Sequence, residues 1–254
     1  MKPGAQRIVA PLVGLIAFGV FWEAAVRILD IRRFVLLAPT AILAELADAP
    51  DYYWSNAVVT GWHVVVGLSI SLLLAVVVGS LMASSRFVEE ATQPVLVLVL
   101  VTPWVAYITS VVLWLGGGEP TVLFMVAFTS FPVFTFGVVG GMKSADPAAR
   151  ELLASVDARP WEVFWRLRLP SALPSIFTTA RFAMGLGLAA AYFSEGSAFV
   201  TEGLGYIGQR AAAFNNAEAL WATIVSSALL GVGGLVVITV LERLLLRWHS
   251  SQRS

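Results

Sequence analysis

Apolar positions along this 254-residue chain collect into long unbroken runs, not the short periodic stripes of a half-buried soluble helix or strand. Six runs, at 8–28, 57–83, 92–115, 120–142, 172–194 and 219–243, carry almost no charge, and apart from residues near their ends Arg181 is their one charged side chain. Each approaches or exceeds the about 20 residues that cross a hydrocarbon core. The pattern predicts an all-α polytopic membrane protein of about six transmembrane helices, folded as one domain over residues 1–254. The first run follows Lys2 and Arg7, the flank of a secretory signal. No small-x-small cleavage site follows it, and Arg27, Arg32 and Arg33 do, so it is read as a span.

Composition agrees with that reading. Hydrophobic residues make up 58% of the chain and mean hydropathy is +0.83. Charged residues are 13%, about half the ~25% of an ordinary globular domain. Sixteen basic residues balance sixteen acidic ones, which argues against nucleic-acid binding. The chain has no cysteine and two histidines, which excludes thiolate chemistry and makes a histidine-built metal centre improbable.

The placement of charge carries more than its amount. With a cytoplasmic N-terminus, the inside holds Lys2, Arg7, Arg86, Lys143, Arg150, Arg159, Arg166, Arg168, Arg243, Arg247 and Arg253, and the outside holds Arg27, Arg32, Arg33 and Arg210. This asymmetry places both termini in the cytoplasm. Residues 30–56 then form a long outer loop. Residues 143–170 form an inner loop that carries five of the sixteen basic residues.

That inner loop has its own local signals. Asp146-Pro147 reads as an N-cap followed by a first-turn proline, with Ala148, Leu152 and Val156 as an apolar line on the helix they open. Asp157-Ala158-Arg159-Pro160 breaks that helix, and Pro160 opens a second one. On the second helix Trp161, Phe164, Trp165 and Arg168 share one face, and Arg159, Glu162 and Arg166 another; Leu169-Pro170 is expected to end it. Physics alone leaves two readings: a hairpin lying at the lipid headgroups, or a docking element for a soluble partner.

The loop resembles the conserved cytoplasmic loop of permease subunits from binding-protein-dependent ABC importers. That family's pattern is Glu-Ala-Ala-x-x-x-Gly, an aromatic stretch, then Leu-Pro. Here Glu151-Leu152-Leu153, Asp157, Phe164-Trp165 and Leu169-Pro170 stand at those places, with two leucines for the alanines and an aspartate for the glycine. The run Leu169-Pro170-Ser171-Ala172-Leu173-Pro174, with Arg181, Glu195 and Gly203-Leu204-Gly205-Tyr206, resembles the nitrate/sulfonate/taurine group of that family. Upstream, Pro103-Trp104-Val105-Ala106 and Val112-Leu113-Trp114-Leu115-Gly116 are similar to it as well.

The resemblance implies a type I ABC importer permease fold whose 143–170 loop seats in a groove of an ATP-hydrolysing subunit and moves with it. Leu152, Leu153, Trp161 and Phe164 would anchor that contact, and Arg150, Glu151 and Arg159 would set its register. Asp157 puts the tight turn in question, because aspartate tolerates left-handed geometry less freely than glycine. The implied partners are ATPase subunits carrying ATP and Mg, a second permease copy or a paralogue, an extracytoplasmic solute-binding protein and the bilayer. No phosphate-binding Gly-x-x-x-x-Gly-Lys-Ser/Thr loop occurs in the chain, so the chain itself is expected to be a translocation subunit without cofactor and not an enzyme. The substrate class implied is a small organic anion or a vitamin-like or aromatic precursor.

Within the spans, Pro103 lies among polar groups, and Trp104, Tyr107, Thr109 and Ser110 beside it are candidates to line a solute path. Pro132 reads as bundle packing. Arg181 must face protein, water or an interface, as an interhelical pair or as an anion contact. His63 is expected to be packed or interfacial, and Glu195 and His249 solvated. An ion-coupled secondary transporter is the alternative class; the absence of a carboxylate at mid-span weighs against it.

Overall fold

The computed structural model describes residues 3–33 and 35–246; Lys2, Arg247, His249 and Arg253 lie outside the described residues. The chain forms α1 (Pro3–Ile28), α2 (Pro39–Asp48), α3 (Pro50–Ser84) and α4 (Arg86–Val101). A 3-10 turn (Trp104–Tyr107) then leads into α5 (Ile108–Leu115) and α6 (Glu119–Lys143). After these come α7 (Pro147–Ser155), α8 (Pro160–Val163), a wide π turn (Phe164–Arg168), α9 (Leu169–Ser197), α10 (Leu204–Ala213) and α11 (Ala217–Leu245). Proline occupies the first turn of α2, α3, α6, α7 and α8, where its missing N–H breaks no ladder bond.

Among the described residues five helices are long and apolar enough to cross a membrane, and α4 with the Trp104–Leu115 segment passes the same test as a bent pair. The core is α3, α6 and α9. Two thirds of the most apolar window of α6 is buried (67%), against 6% for α1 and for α11, so α6 is the axis of the bundle and α1 and α11 are its periphery. A Cβ on Gly67 or Gly79 of α3 would fall 2.5 Å or 2.7 Å from Val126 or Val138 of α6. On α6, Gly137 faces Thr179 and Gly141 faces Ala172 and Ser175 of α9. The first pairs rise together and the second run in opposite senses, so α3 and α6 are parallel and α9 returns antiparallel. Small residues let the backbones approach to the distance at which dispersion holds helices together in lipid. Pro132 is buried in α6, which runs through it, and the buried Thr129 and Thr135 hydroxyls donate to the carbonyls of Met125 and Phe131.

Two expected elements differ. The span expected over 92–115 is two helical pieces bent by 91° at Thr102-Pro103. Leu169-Pro170 does not end the second loop helix: residues 160–197 form one continuous 38-residue helix. Pro170 offers no N–H to the turn before it, and the ladder adjusts by widening, with Leu169 N–H donating to the Phe164 carbonyl five residues back.

Candidate functional site

The 143–170 loop is built from local signals that the structure realises in detail. Asp146 Oδ1 accepts from Ala148 N–H at 2.9 Å and caps α7. The helix ends with Ala158 N–H on the Leu153 carbonyl at 3.0 Å and Asp157 N–H on the Ala154 carbonyl at 3.1 Å. Asp157 has φ +51°. This is a Schellman stop, and Asp157 takes the left-handed position that glycine would usually fill. Glu162 then accepts from Arg159 N–H at 3.0 Å, closing the start of α8.

The loop aromatics divide into two groups. Phe164 and Leu169 pack against the bundle cluster of Phe134, Val138, Met142, Ala172 and Ile176. Trp161 and Trp165, with ring centroids 5.2 Å apart, remain exposed. Leu152 and Val156 are each 67% exposed, so four large apolar side chains of the loop stand exposed at this end of the bundle. Arg150, Glu151 and Arg159 are exposed with it, and Leu153 is half-buried. Phe164 therefore fixes the loop to its own membrane helices. Arg168 does the same through a 2.8 Å hydrogen bond to Ser84 Oγ at the end of α3.

The broken span carries the second set of expected residues. Thr102 Oγ1 donates to the Leu98 carbonyl at 2.7 Å and Pro103 is exposed. Trp104 meets Phe193 edge-on at 5.8 Å, and Tyr107 meets Phe128 at 5.3 Å, which stacks on Phe124 at 5.6 Å. Ile108 and Val111 seat α5 on Met125, which leaves Thr109 exposed and Ser110 half-buried. Gly116, Gly117 and Gly118 follow with φ between +77° and +79°. A Cβ on Gly117 would fall 2.8 Å from the Ala198 carbonyl, so the turn back to α6 requires glycine in both conformation and space. Arg181 lies apart from this group. It pairs with Glu242 of α11, which makes it an interhelical ion pair.

Sequence reasoning missed a third cluster, at the end of the bundle opposite the loop. Glu195 is fully buried, not solvated. His63 donates from Nδ1 to its Oε1 at 2.8 Å; Thr60 Oγ1 and Gly205 N–H donate to Oε2 at 2.9 Å and 2.8 Å. Thr60 Oγ1 in turn accepts from Leu204 N–H at 2.8 Å, and Asn56 Oδ1 from Gly203 N–H at 2.7 Å. Three successive amides at the start of α10 thus each meet a side chain from α3 or α9. The available signal was Thr60 and His63 near the start of the span expected over 57–83, on the face that Asn56 continues if the helix begins one turn earlier.

A helical membrane bundle with a broken polar span and a structured loop at one end is the architecture of a membrane transport subunit. Residues 71–247 match the family described as binding-protein-dependent transport system inner membrane component, and the chain belongs to it: it is the permease subunit of an ABC importer. It is 30% identical to the formylaminopyrimidine transport permease protein ThiX of Halalkalibacterium halodurans, over 99% of this chain and 100% of that one. The putative aliphatic sulfonates transport permease protein SsuC of Escherichia coli is 28% identical over 93% of this chain and 89% of its own length. The riboflavin transport system permease protein RibX of Chloroflexus aurantiacus is 26% identical over 97% and 94%. In fold, the chain is similar to the MetNI methionine ABC transporter in an inward-facing conformation. The TM-score is 0.58 at 15% identity, covering 74% of this chain and 95% of that chain.

Proposed function

We propose that this permease, paired with a second copy or a paralogue, moves a small planar organic solute or organic anion inward, powered by ATPase subunits that grip the 143–170 loop. Both termini and the loop lie in the cytoplasm, and an extracytoplasmic binding protein delivers solute to the opposite face. ATP and Mg belong to the ATPase, and this chain contributes no cofactor. The observation that carries the reading is the preformed loop, on which Leu152, Val156, Trp161 and Trp165 are all exposed. Four such side chains in water would be an aggregation liability, and a groove on a partner would bury them. The aromatic row of Tyr107, Phe128 and Phe124 favours a planar solute, since a ring stacks on it with little desolvation cost. Relatives named for formylaminopyrimidine and riboflavin point the same way.

The test is uptake into proteoliposomes holding the permease, its ATPase and its binding protein. Uptake that requires internal ATP and is lost with Trp161→Ala, while the purified permease stays monodisperse, supports the reading. Uptake by the permease alone on an ion gradient overturns it.

A further inference from the structure

The Glu195 cluster and the broken span differ in how their short helices are held. On α10, the amides of Gly203, Leu204 and Gly205 are taken by Asn56, Thr60 and Glu195. The helix also lies in backbone contact with α9: a Cβ on Gly205 would fall 1.8 Å from the Tyr192 carbonyl oxygen, and one on Gly208 1.9 Å from the Tyr192 hydroxyl. Leu204 and Ile207 pack with Tyr53 of α3 and Ala222 of α11. By contrast, α5 has eight residues, follows the break at Thr102-Pro103 and ends in three successive left-handed glycines. Apart from its seat on α6 it packs through Val112, and the 3-10 turn before it through Trp104, on the cluster that includes Ala190, Ala191 and Ala198.

We infer that Glu195 is a positioning residue which fastens α10 to α3 and α9 as one rigid unit throughout transport, and that the moving outer element is α5. The inference rests on the permease assignment but not on any particular solute. The carboxylate accepts from His63, Thr60 and Gly205 inside the bundle, and detaching α10 would strand the amides of Gly203, Leu204 and Gly205 together with their acceptors on Asn56, Thr60 and Glu195, which makes detachment a poor step for a cycle to repeat. The ends of α5 are held more lightly: one backbone hydrogen bond, Gly118 N–H to the Ala198 carbonyl, ties its C-terminal turn to α9, with no buried side chain taking its amides. A pivot there turns ψ at Thr102 and Pro103 on one side and both backbone angles at three successive glycines on the other.

Because the chain has no cysteine, paired cysteines test this directly. One pair, Ala57→Cys with Ile207→Cys, joins α3 to α10; the other, Val112→Cys with Ala191→Cys, joins α5 to α9. Both are closed with a short cleavable thiol cross-linker in proteoliposomes containing the ATPase and binding protein. Cross-linked α3–α10 permease is expected to retain uptake to within about twofold, and cross-linked α5–α9 permease to lose at least about tenfold, restored by cleavage. Loss of uptake with the α3–α10 link, retention with the α5–α9 link, or failure of Ala57→Cys and Ile207→Cys to link overturns the inference. Hydrogen exchange gives a readout independent of transport. Glu195→Gln, which keeps an acceptor for Gly205, should leave amides 203–213 protected, whereas Glu195→Ala should expose them. Equal protection in both variants would remove Glu195 from the role.

Discussion

The two ends of this bundle solve opposite problems. At the end bearing Glu195, polar groups are buried and each named partner is supplied by the chain itself, across 132 residues for His63 and 135 for Thr60. At the loop end, large apolar groups are exposed, and the chain supplies only their scaffold: a capped α7, a Schellman stop at Asp157, and Phe164 anchored in the bundle. A saturated polar cluster inside low-dielectric surroundings is rigid because any opening strands hydrogen-bonding groups. An exposed apolar patch is unfinished until something covers it. One end is thus built to hold its shape, and the other to be taken hold of.

The largest effect should come from attacking the closed end. Gly205→Val would push a branched side chain into the Tyr192 backbone, with its first atom 1.8 Å from the carbonyl oxygen. The neighbour is backbone and cannot rotate away, so a cost above ~3 kcal/mol is expected. The measurement is the yield of detergent-stable permease by size-exclusion chromatography, which should collapse. A normal yield would mean that α10 is not seated on α9.

Attacking the open end should leave folding intact and remove association. Leu152→Ala and Trp161→Ala change side chains that are 67% and 68% exposed, so thermal stability of the isolated permease should move little. Binding of the ATPase should weaken by about 10- to 100-fold for Trp161→Ala, the range of a truncated aromatic hot spot, and by less for Leu152→Ala. Titration of labelled ATPase against the detergent-solubilised permease measures it. If Trp161→Ala lowered stability and left binding unchanged, the contrast between the ends would fail.

These differences in construction also explain what could be read from the chain before its fold. Spans were legible because lipid demands runs of about 20 apolar residues whatever the neighbours are. Asp146-Pro147, Pro160 and the break at Asp157 were legible because caps and stops act over a few residues. Glu195 was not: its burial depends on Asn56, Thr60 and His63 arriving from another helix, and a carboxylate near the end of an apolar run otherwise reads as solvated. The continuation of the helix through Pro170 was hidden for a related reason. Proline forbids an ordinary ladder bond there, and only packing of Phe164 and Leu169 on the bundle makes the wider turn the better solution.

Between the two ends sits the Arg181–Glu242 pair, which joins α9 to α11 with side chains 35% and 21% exposed. If it is structural, a double-mutant cycle with Arg181→Met and Glu242→Gln should show a coupling of ~1 kcal/mol in thermal stability. Uptake by the double variant should then match the wild type. A double variant that is stable yet has lost uptake would transfer Arg181 to the solute path.

The smallest expected effect lies at Asp157, where the open end still carries a strained choice. Its φ of +51° is reached by an L residue whose Cβ crowds the following carbonyl, and glycine escapes that crowding. Asp157→Gly should therefore tighten the stop of α7 in the folded chain. It also frees the unfolded loop, which offsets part of the gain, so a net stabilisation of under ~1 kcal/mol is expected. Global unfolding would miss it, but hydrogen exchange at Asp157 and Ala158, whose amides make the two stop bonds, should slow. Faster exchange there would mean that the aspartate side chain contributes something to the turn beyond filling it. The stop of α7 would then rest on a side-chain contact, as its start does at Asp146.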